Sequence, residues 1–288
     1  MCIRDSPRVV GGINEESSRR AVGLYRHIVR GEITPTDLLT AEMAKVVENA
    51  CRDVNIAFAN EVALACERMG VNAYEVRSLI NTRPDRDMHI PGAGVGGHCL
   101  PKDSWLLNYG LETYGKAPAR QDGRCLDRLQ LIPKAREIND AMPAHMRALI
   151  EEALEETGRE LGGSKVTVLG AAYLENADDA RNTPAAALAE LLVKAGAEVV
   201  VHDPLVREAE WLRALASGVT VPLTDDLWAA LSGADCAALV TRHKEYLAMD
   251  LAEVARTMRK PALVDGRNAF DLAECTTAGF VIRAIGKG

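Results

Sequence analysis

The chain has 288 residues, 48% of them apolar and 26% charged, with a formal net charge of −7. That length allows two domains with separate cores, and the acidic balance argues against a nucleic-acid or anionic-membrane surface. No apolar run approaches the roughly 20 residues that span a bilayer, and the opening residues lack an apolar signal-peptide core. The seven cysteines are scattered without a C-x-x-C pair, which fits reduced thiols in a cytoplasmic protein better than a disulfide framework. The six histidines form no metal-ligand cluster in the sequence, so no metal is expected.

In chain order, Arg8-Val9-Val10-Gly11-Gly12-Ile13 reads as one strand with none before it. A lone strand cannot stand by itself, so the chain is expected to begin in the middle of a domain. Asn14 to Arg30 has Ala21, Leu24, Tyr25, Ile28 and Val29 at helical spacing. Thr34 and Pro35 then read as the cap and first position of a new helix, with Asp37 favoured by the helix dipole. From Asp37 to Met69 there is neither proline nor glycine, and Gly70 closes the run. At 1.5 Å per residue such a helix is about 50 Å long, the length of a spine crossing a domain or subunit interface. Lys45 and Asn49 share one face of it. Two readings stay open there: a solvated face with a Glu42–Lys45 pair, or a partly buried Lys/Asn pair facing a pocket.

Residues 71 to 83 read as a second helix, with Asn72 or Ala73 near its start. Between Pro91 and Asp103 stand four glycines within six residues, then His98-Cys99-Leu100-Pro101-Lys102-Asp103. Glycines let a backbone approach a ligand closely, and a thiol carried on such a loop suits covalent catalysis. Gly92, Gly94 and Gly97 spell G-x-G-x-x-G. The dinucleotide fingerprint needs a strand before it and a helix after it, and neither neighbour fits, so the stretch reads as a substrate loop. Ser104 to Tyr114 reads as a helix, Ala117 to Asp127 as a polar linker, and Pro133 to Glu156 as a long helix.

From Lys165 the period changes. Val166 to Gly170 is a buried strand, Thr183-Pro184 caps a helix to Lys194, and Glu198 to His202 is the next strand. Further alternation follows: helix Leu227 to Leu231, strand Cys236 to Thr241, helix Leu251 to Met258, strands Ala262 to Asp265 and Gly279 to Ile285. The fold class is α/β, an all-helical central domain with a long spine helix followed by a Rossmann-like, doubly wound parallel α/β domain. The turn Gly170-Ala171-Ala172-Tyr173 lacks the later fingerprint glycines and is a weak nucleotide signal.

On four segments the chain resembles the UDP-glucose/GDP-mannose dehydrogenase family: Ala41 to Asn49, the Gly94-to-Asp103 loop, Asp178-Asp179-Ala180-Arg181-Asn182-Thr183-Pro184, and Asp265-Gly266-Arg267-Asn268. Gly96-Gly97-His98-Cys99 resembles the branch that oxidises UDP-N-acetylhexosamines, notably UDP-N-acetylmannosamine. UDP-glucose and GDP-mannose remain alternatives, as does a non-catalytic nucleotide-sugar-binding or dimerising module. The resemblance implies a four-electron oxidation by NAD to a uronate, for surface polysaccharide precursors, through a Cys99 thiohemiacetal and thioester. Lys45 and Asn49 would stabilise the oxyanion, and Asp103 would orient water or take a proton.

For substrate contacts the implied residues are Gly96, Gly97, His98, Tyr173 and Arg267, with Arg83 and Arg86 as possible clamps across a dimer interface. His98 could instead shape the loop, and Arg83 or Arg86 could form surface pairs with Asp85 or Asp87. Lys102 receives no role. A UDP-sugar is the implied partner, with no nucleic acid or membrane, in a homodimer or higher homo-oligomer formed through the helical domain. The implied domains are a remnant of an NAD-binding domain over 1–14, a central dimerisation domain over 15–117, a linker and connecting helix over 118–164, and a UDP-sugar-binding domain over 165–288. Leu174 stands where the family usually has lysine, which puts one substrate contact in question. The family's own NAD-binding domain has no counterpart here, so a fragment without turnover by itself is expected.

Overall fold

The computed structural model describes residues 4–115, 128–216 and 218–288. The linker expected over Ala117 to Asp127 lies outside them. Two units divide the chain: Met1–Arg52 with Lys102–Leu129, and Asp53–Pro101 with Gln130–Gly288.

In the first unit, strand β1 (Arg8–Gly12) is followed by helix α1 (Glu15–Tyr25) and strand β2 (Ile33–Asp37), and the two strands pair in parallel with Val10 opposite Pro35. The expected lone strand thus has a partner, and the stretch expected to be all-helical contains a strand. Ile33, Thr34 and Thr36 are β-branched and favour the extended chain, while Pro35, without an N–H, is tolerated in a two-stranded ladder. Thr34 is therefore no cap. Asp37 takes that place, accepting the Thr40 N–H at 2.9 Å immediately before helix α2 (Leu38–Met69, 32 residues). Helix α1 also stops short of Arg30: its cap is Asn14, which accepts from Ser17, and after Tyr25 the chain tightens into turns.

Helices α3 (Ala73–Ile80), α4 (Leu100–Tyr114) and α5 (Leu131–Glu156) follow. Asn72 caps α3 by accepting the Tyr74 N–H at 3.0 Å. Helix α4 opens four residues earlier than its apolar pattern suggests, because Pro101 fits a first turn where no N–H is needed.

The second unit holds a parallel six-stranded sheet in the order β5-β4-β3-β6-β7-β8. Its strands are β3 (Lys165–Leu169), β4 (Glu198–His202), β5 (Leu223–Thr224), β6 (Cys236–Leu239), β7 (Ala262–Asp265) and β8 (Val281–Ala284). Helices α6 (Pro184–Lys194), α7 (Glu208–Ala214), α8 (Leu227–Leu231), α9 (Lys244–Leu247), α10 (Leu251–Thr257) and α11 (Leu272–Thr277) connect them. Because successive side chains on a strand point to opposite faces, strands β3, β6 and β7 each feed two cores. Val166, Val168, Ala238 and Val264 join a cluster with Met142, Met146, Ile150 and Leu154 of α5. Leu169, Leu239 and Leu263 join the other, around Leu231, Tyr246 and Phe280. Burial on both faces explains why these strands are almost wholly apolar.

The chain reverses direction at Gly170, whose φ of +95° suits glycine. A Cβ there would lie 2.5 Å from Cβ of Thr241 and 2.9 Å from its nitrogen. Gly170→Ala is expected to cost about 2–4 kcal/mol in urea unfolding, combining the left-handed backbone with overpacking; a loss below about 1 kcal/mol would mean that the turn relaxes freely.

Candidate active site

In the first unit, helical spacing puts Lys45 one turn before Asn49, and Lys45 Nζ donates to Asn49 Oδ1 at 3.3 Å. The Asn49 amide donates in turn to Asp103 Oδ2 at 2.6 Å, and Lys102 donates to the other carboxylate oxygen. Asn49 and Asp103 are 7% and 5% exposed, so this is a buried carboxylate with two donors. Burial alone would push its pKa up. The hydrogen bonds from Lys102 and Asn49, with the charge of Lys45, outweigh it and hold the carboxyl below its ordinary value. Asp103 is therefore an anion and an acceptor at neutral pH. Lys45 also pairs with Glu48 at 2.8 Å, rather than with the expected Glu42, and its side chain is largely exposed. Lys102, which the sequence left without a role, belongs to this cluster.

In the second unit the stretch from Asp87 to Cys99 has no helix or strand, so the G-x-G-x-x-G match is a loop. It lies on the turns that follow β3. The Gly97 N–H donates to the Arg181 carbonyl at 2.9 Å, and the Asn182 side-chain amide donates to the Gly97 carbonyl at 2.9 Å. This contact requires glycine twice. A Cβ on Gly96 would sit 2.5 Å from Tyr173 Cβ, and Gly97, at φ +90°, has the Tyr173 ring 3.0 Å from where its Cβ would be. Tyr173 thus packs on the loop itself.

Cys99 is exposed and directly precedes the N-terminus of α4. The Arg181 guanidinium is within electrostatic reach of that sulfur. Its orientation comes from Asp179, whose carboxylate oxygens lie 2.9 and 3.0 Å from Arg181 Nε. Arg181 holds the Asp179 carboxyl below its usual value against the opposing effect of burial, and His98 adds to this. His98, Asp178, Asp179, Arg181, Asn182 and Arg213 line a cleft of about 550 Å³. Arg181 and Asp179 were not singled out as site residues in the sequence; their D-x-R spacing within a quoted family segment was the available signal.

Arg267 leaves the carboxyl end of β7, where Asp265 accepts its N–H at 2.8 Å. Its guanidinium reaches Glu175 at 3.3 Å and lies so close to Gly92 that a Cβ there would be 2.7 Å from Nη1. Arg83 and Arg86 are exposed and both pair with Asp85, at 3.3 and 2.5 Å. Leu174, in the place of the family's lysine, is half exposed.

No dinucleotide cradle forms on β3. The Ala171 and Ala172 N–H groups that would face a phosphate both donate to Asp203, at 2.8 and 2.9 Å. Burial raises the pKa of Asp203, but hydrogen bonds from His243 and from the Ala172, Leu205 and Val206 N–H groups dominate and bring it down to about 2. An anion already fills the turn, so these residues do not fit a dinucleotide pyrophosphate. Among the described residues no helix is long and apolar enough to cross a membrane.

Comparison with known proteins gives two matches: residues 39–141 to the UDP-glucose/GDP-mannose dehydrogenase family central domain, and residues 167–272 to the UDP binding domain of that family. The UDP-N-acetyl-D-mannosamine dehydrogenase of Pyrococcus horikoshii is 38% identical over 281 residues, covering 98% of this chain and 60% of the relative. A solved UDP-D-ManNAc dehydrogenase from Pyrococcus horikoshii superposes with a TM-score of 0.83 at 38% identity, covering 99% of this chain and 60% of that one. The NDP-N-acetyl-D-galactosaminuronic acid dehydrogenase of Methanosarcina mazei Go1 gives a TM-score of 0.87 at 38% identity, covering 99% and 59%. The chain therefore spans about 60% of the length of the curated relatives it matches.

The Asp103 cluster sets a pH dependence. Its folded pKa lies below the unfolded one, so its stabilisation is present above about pH 4 and is lost as pH falls through the folded value. Urea midpoints measured from about pH 6 to pH 3 should fall more steeply in the parent than in Asp103→Asn; parallel curves would remove Asp103 from the acid response.

Proposed function

The chain belongs to the UDP-glucose/GDP-mannose dehydrogenase family, and we propose that it performs the sugar-side chemistry of an NAD-dependent UDP-N-acetylhexosamine 6-dehydrogenase. UDP-N-acetylmannosamine is the proposed substrate, supported by the names of several relatives and by the Gly96-Gly97-His98-Cys99 form of the loop. NAD is the proposed oxidant. The turn after β3 offers it no cradle, so the steps assigned here are those of this chain's own side chains.

Cys99 Sγ is the nucleophile. As it adds to C6 of the sugar aldehyde, a carbon–sulfur bond forms and charge grows on the carbonyl oxygen. Lys45 and the Asn49 amide are the donors proposed for that oxygen. Oxidation of this thiohemiacetal leaves a thioester. Water then adds to its carbonyl carbon, the carbon–sulfur bond breaks, and Sγ departs as thiolate while the uronate is released. Asp103, anionic at neutral pH, is the proposed acceptor of the water proton. The observation that carries this reading is the exposed thiol on a glycine loop, at a helix N-terminus and within electrostatic reach of Arg181. Arg267 and Tyr173 are proposed to bound the nucleotide sugar, and Arg83 and Arg86 to reach it from a second copy.

A homo-oligomer built through α2 is part of the proposal. Leu39, Met43 and Val47 recur every four residues along it and are 66%, 44% and 43% exposed, an apolar stripe of the kind helices bury against one another. The filled turn after β3 favours a second reading, a UDP-sugar-binding module without turnover of its own.

Two measurements separate the readings. Calorimetry on the chain with UDP-N-acetylmannosamine and UDP-glucose reads binding. NADH formation after fusion to a dinucleotide-binding domain reads turnover, and Cys99→Ala should lower it at least about a thousandfold. Unchanged turnover in that variant would rule out the covalent role, and binding without any turnover would favour the module.

A further inference from the structure

Within the second unit, the loop that carries Cys99 is backed by a run of polar side chains cut off from water. Asp53 and Asn60, two turns apart on α2, are fully buried, as is Arg136 on α5, and Asn139 one turn later is 1% exposed. Burying such groups is costly unless each finds a partner. Arg136 Nη1 donates to Asp53 Oδ1 at 2.6 Å. Asn139 Nδ2 donates to the same carboxylate oxygen at 2.8 Å and to the Asp53 carbonyl at 3.0 Å. Asn60 Nδ2 donates to Asn139 Oδ1 at 2.9 Å. Asn60 Oδ1 then accepts the N–H of Gly92 at 2.9 Å, where the loop begins.

Apolar side chains of the same volume would often stabilise such a core as well or better. What the polar run adds is direction: each group holds the next in one rotamer, and the last holds a backbone amide of the loop. Gly92 is buried against Arg267, and Gly97 is bonded at the far end to residues 181 and 182. The loop is therefore fixed at both ends.

We propose that Asn60 is a positioning residue for Cys99, its carboxamide set by Asn139 and the Asp53–Arg136 pair and fixing the entry of the thiol loop. The inference rests on Cys99 being the reactive thiol. Its test reads loop order and thiol reactivity, so its outcome is independent of NADH formation.

Hydrogen exchange and iodoacetamide alkylation, both resolved by peptide, are compared in the parent, Asn60→Leu, Asn60→Asp and the core control Val201→Ala. In Asn60→Leu the peptide covering residues 88–99 should exchange at least about tenfold faster. Cys99, no longer carried on a fixed loop, should change its alkylation rate by about threefold or more. Asn60→Asp keeps an acceptor facing Gly92 but loses the donor to Asn139 Oδ1, so it should restore both readouts only in part, to about the level of Asn139→Ala. Val201→Ala should lower the melting temperature and leave both unchanged. If Asn60→Leu does not fold, Asn139→Ala, which frees the Asn60 rotamer, should give the same changes at smaller size. Unchanged loop exchange in folded Asn60→Leu or Asn139→Ala, or equal loosening in Val201→Ala, would overturn the proposal.

Discussion

The peptide of Gly97 gives its N–H to the Arg181 carbonyl and takes an N–H from Asn182, and the geometry around the thiol depends on that pair of bonds. It docks a glycine loop onto the turns after a parallel strand, where α/β folds present their ligands. The same contact explains Gly96, which has no room for a Cβ beside Tyr173, and Asn182, whose φ of 49° turns its amide toward the loop. It also explains the place of Arg181. With its carbonyl bonded to the loop and its guanidinium held by Asp179, this arginine brings positive charge near Cys99.

The six-stranded sheet was legible in the sequence because its main strands are buried on both faces and read as short apolar runs between glycine and proline signals. β5, α7, α9 and α11 were not, for a physical reason. They are short, and α7, for example, is anchored by one buried side chain, Trp211, whose indole N–H donates to the Val221 carbonyl at 2.8 Å. No periodic stripe announces such an element. Thr34-Pro35 misled because the same residue types that start helices also suit an edge strand, and only the pairing partner at Val10 decides between them. Cys99 stood out through its glycines, and Lys45 with Asn49 through helical spacing. Lys102 and Arg181 were obscured because their roles come from partners that only the fold supplies: Asp103 in one case, Gly97 and Asp179 in the other.

Carboxylates do similar work at several strand and loop junctions. Asp203 after β4 receives the N–H groups of Ala171, Ala172, Leu205 and Val206. Asp265 at the end of β7 receives those of Arg267, Ala269 and Phe270. Each satisfies several backbone donors that a turn leaves without a ladder partner. Aspartate suits this task because its short side chain reaches back to its own neighbourhood and accepts at both oxygens. The net charge of −7 thus includes anions that serve the fold rather than the surface.

His243 extends this device to the segment after Tyr173. Its Nε2 faces Asp203 at 3.1 Å, its Nδ1 accepts the Asn176 N–H at 2.9 Å, and the Asn176 side chain accepts the Lys244 N–H at 3.0 Å. Asn176 is thereby kept in the left-handed region, at φ 55°. The segment's shape is therefore already set, and little conformational freedom would remain to be lost if a ligand met it. A ligand bound there would be selected by its fit to that shape rather than by a rearrangement that follows binding.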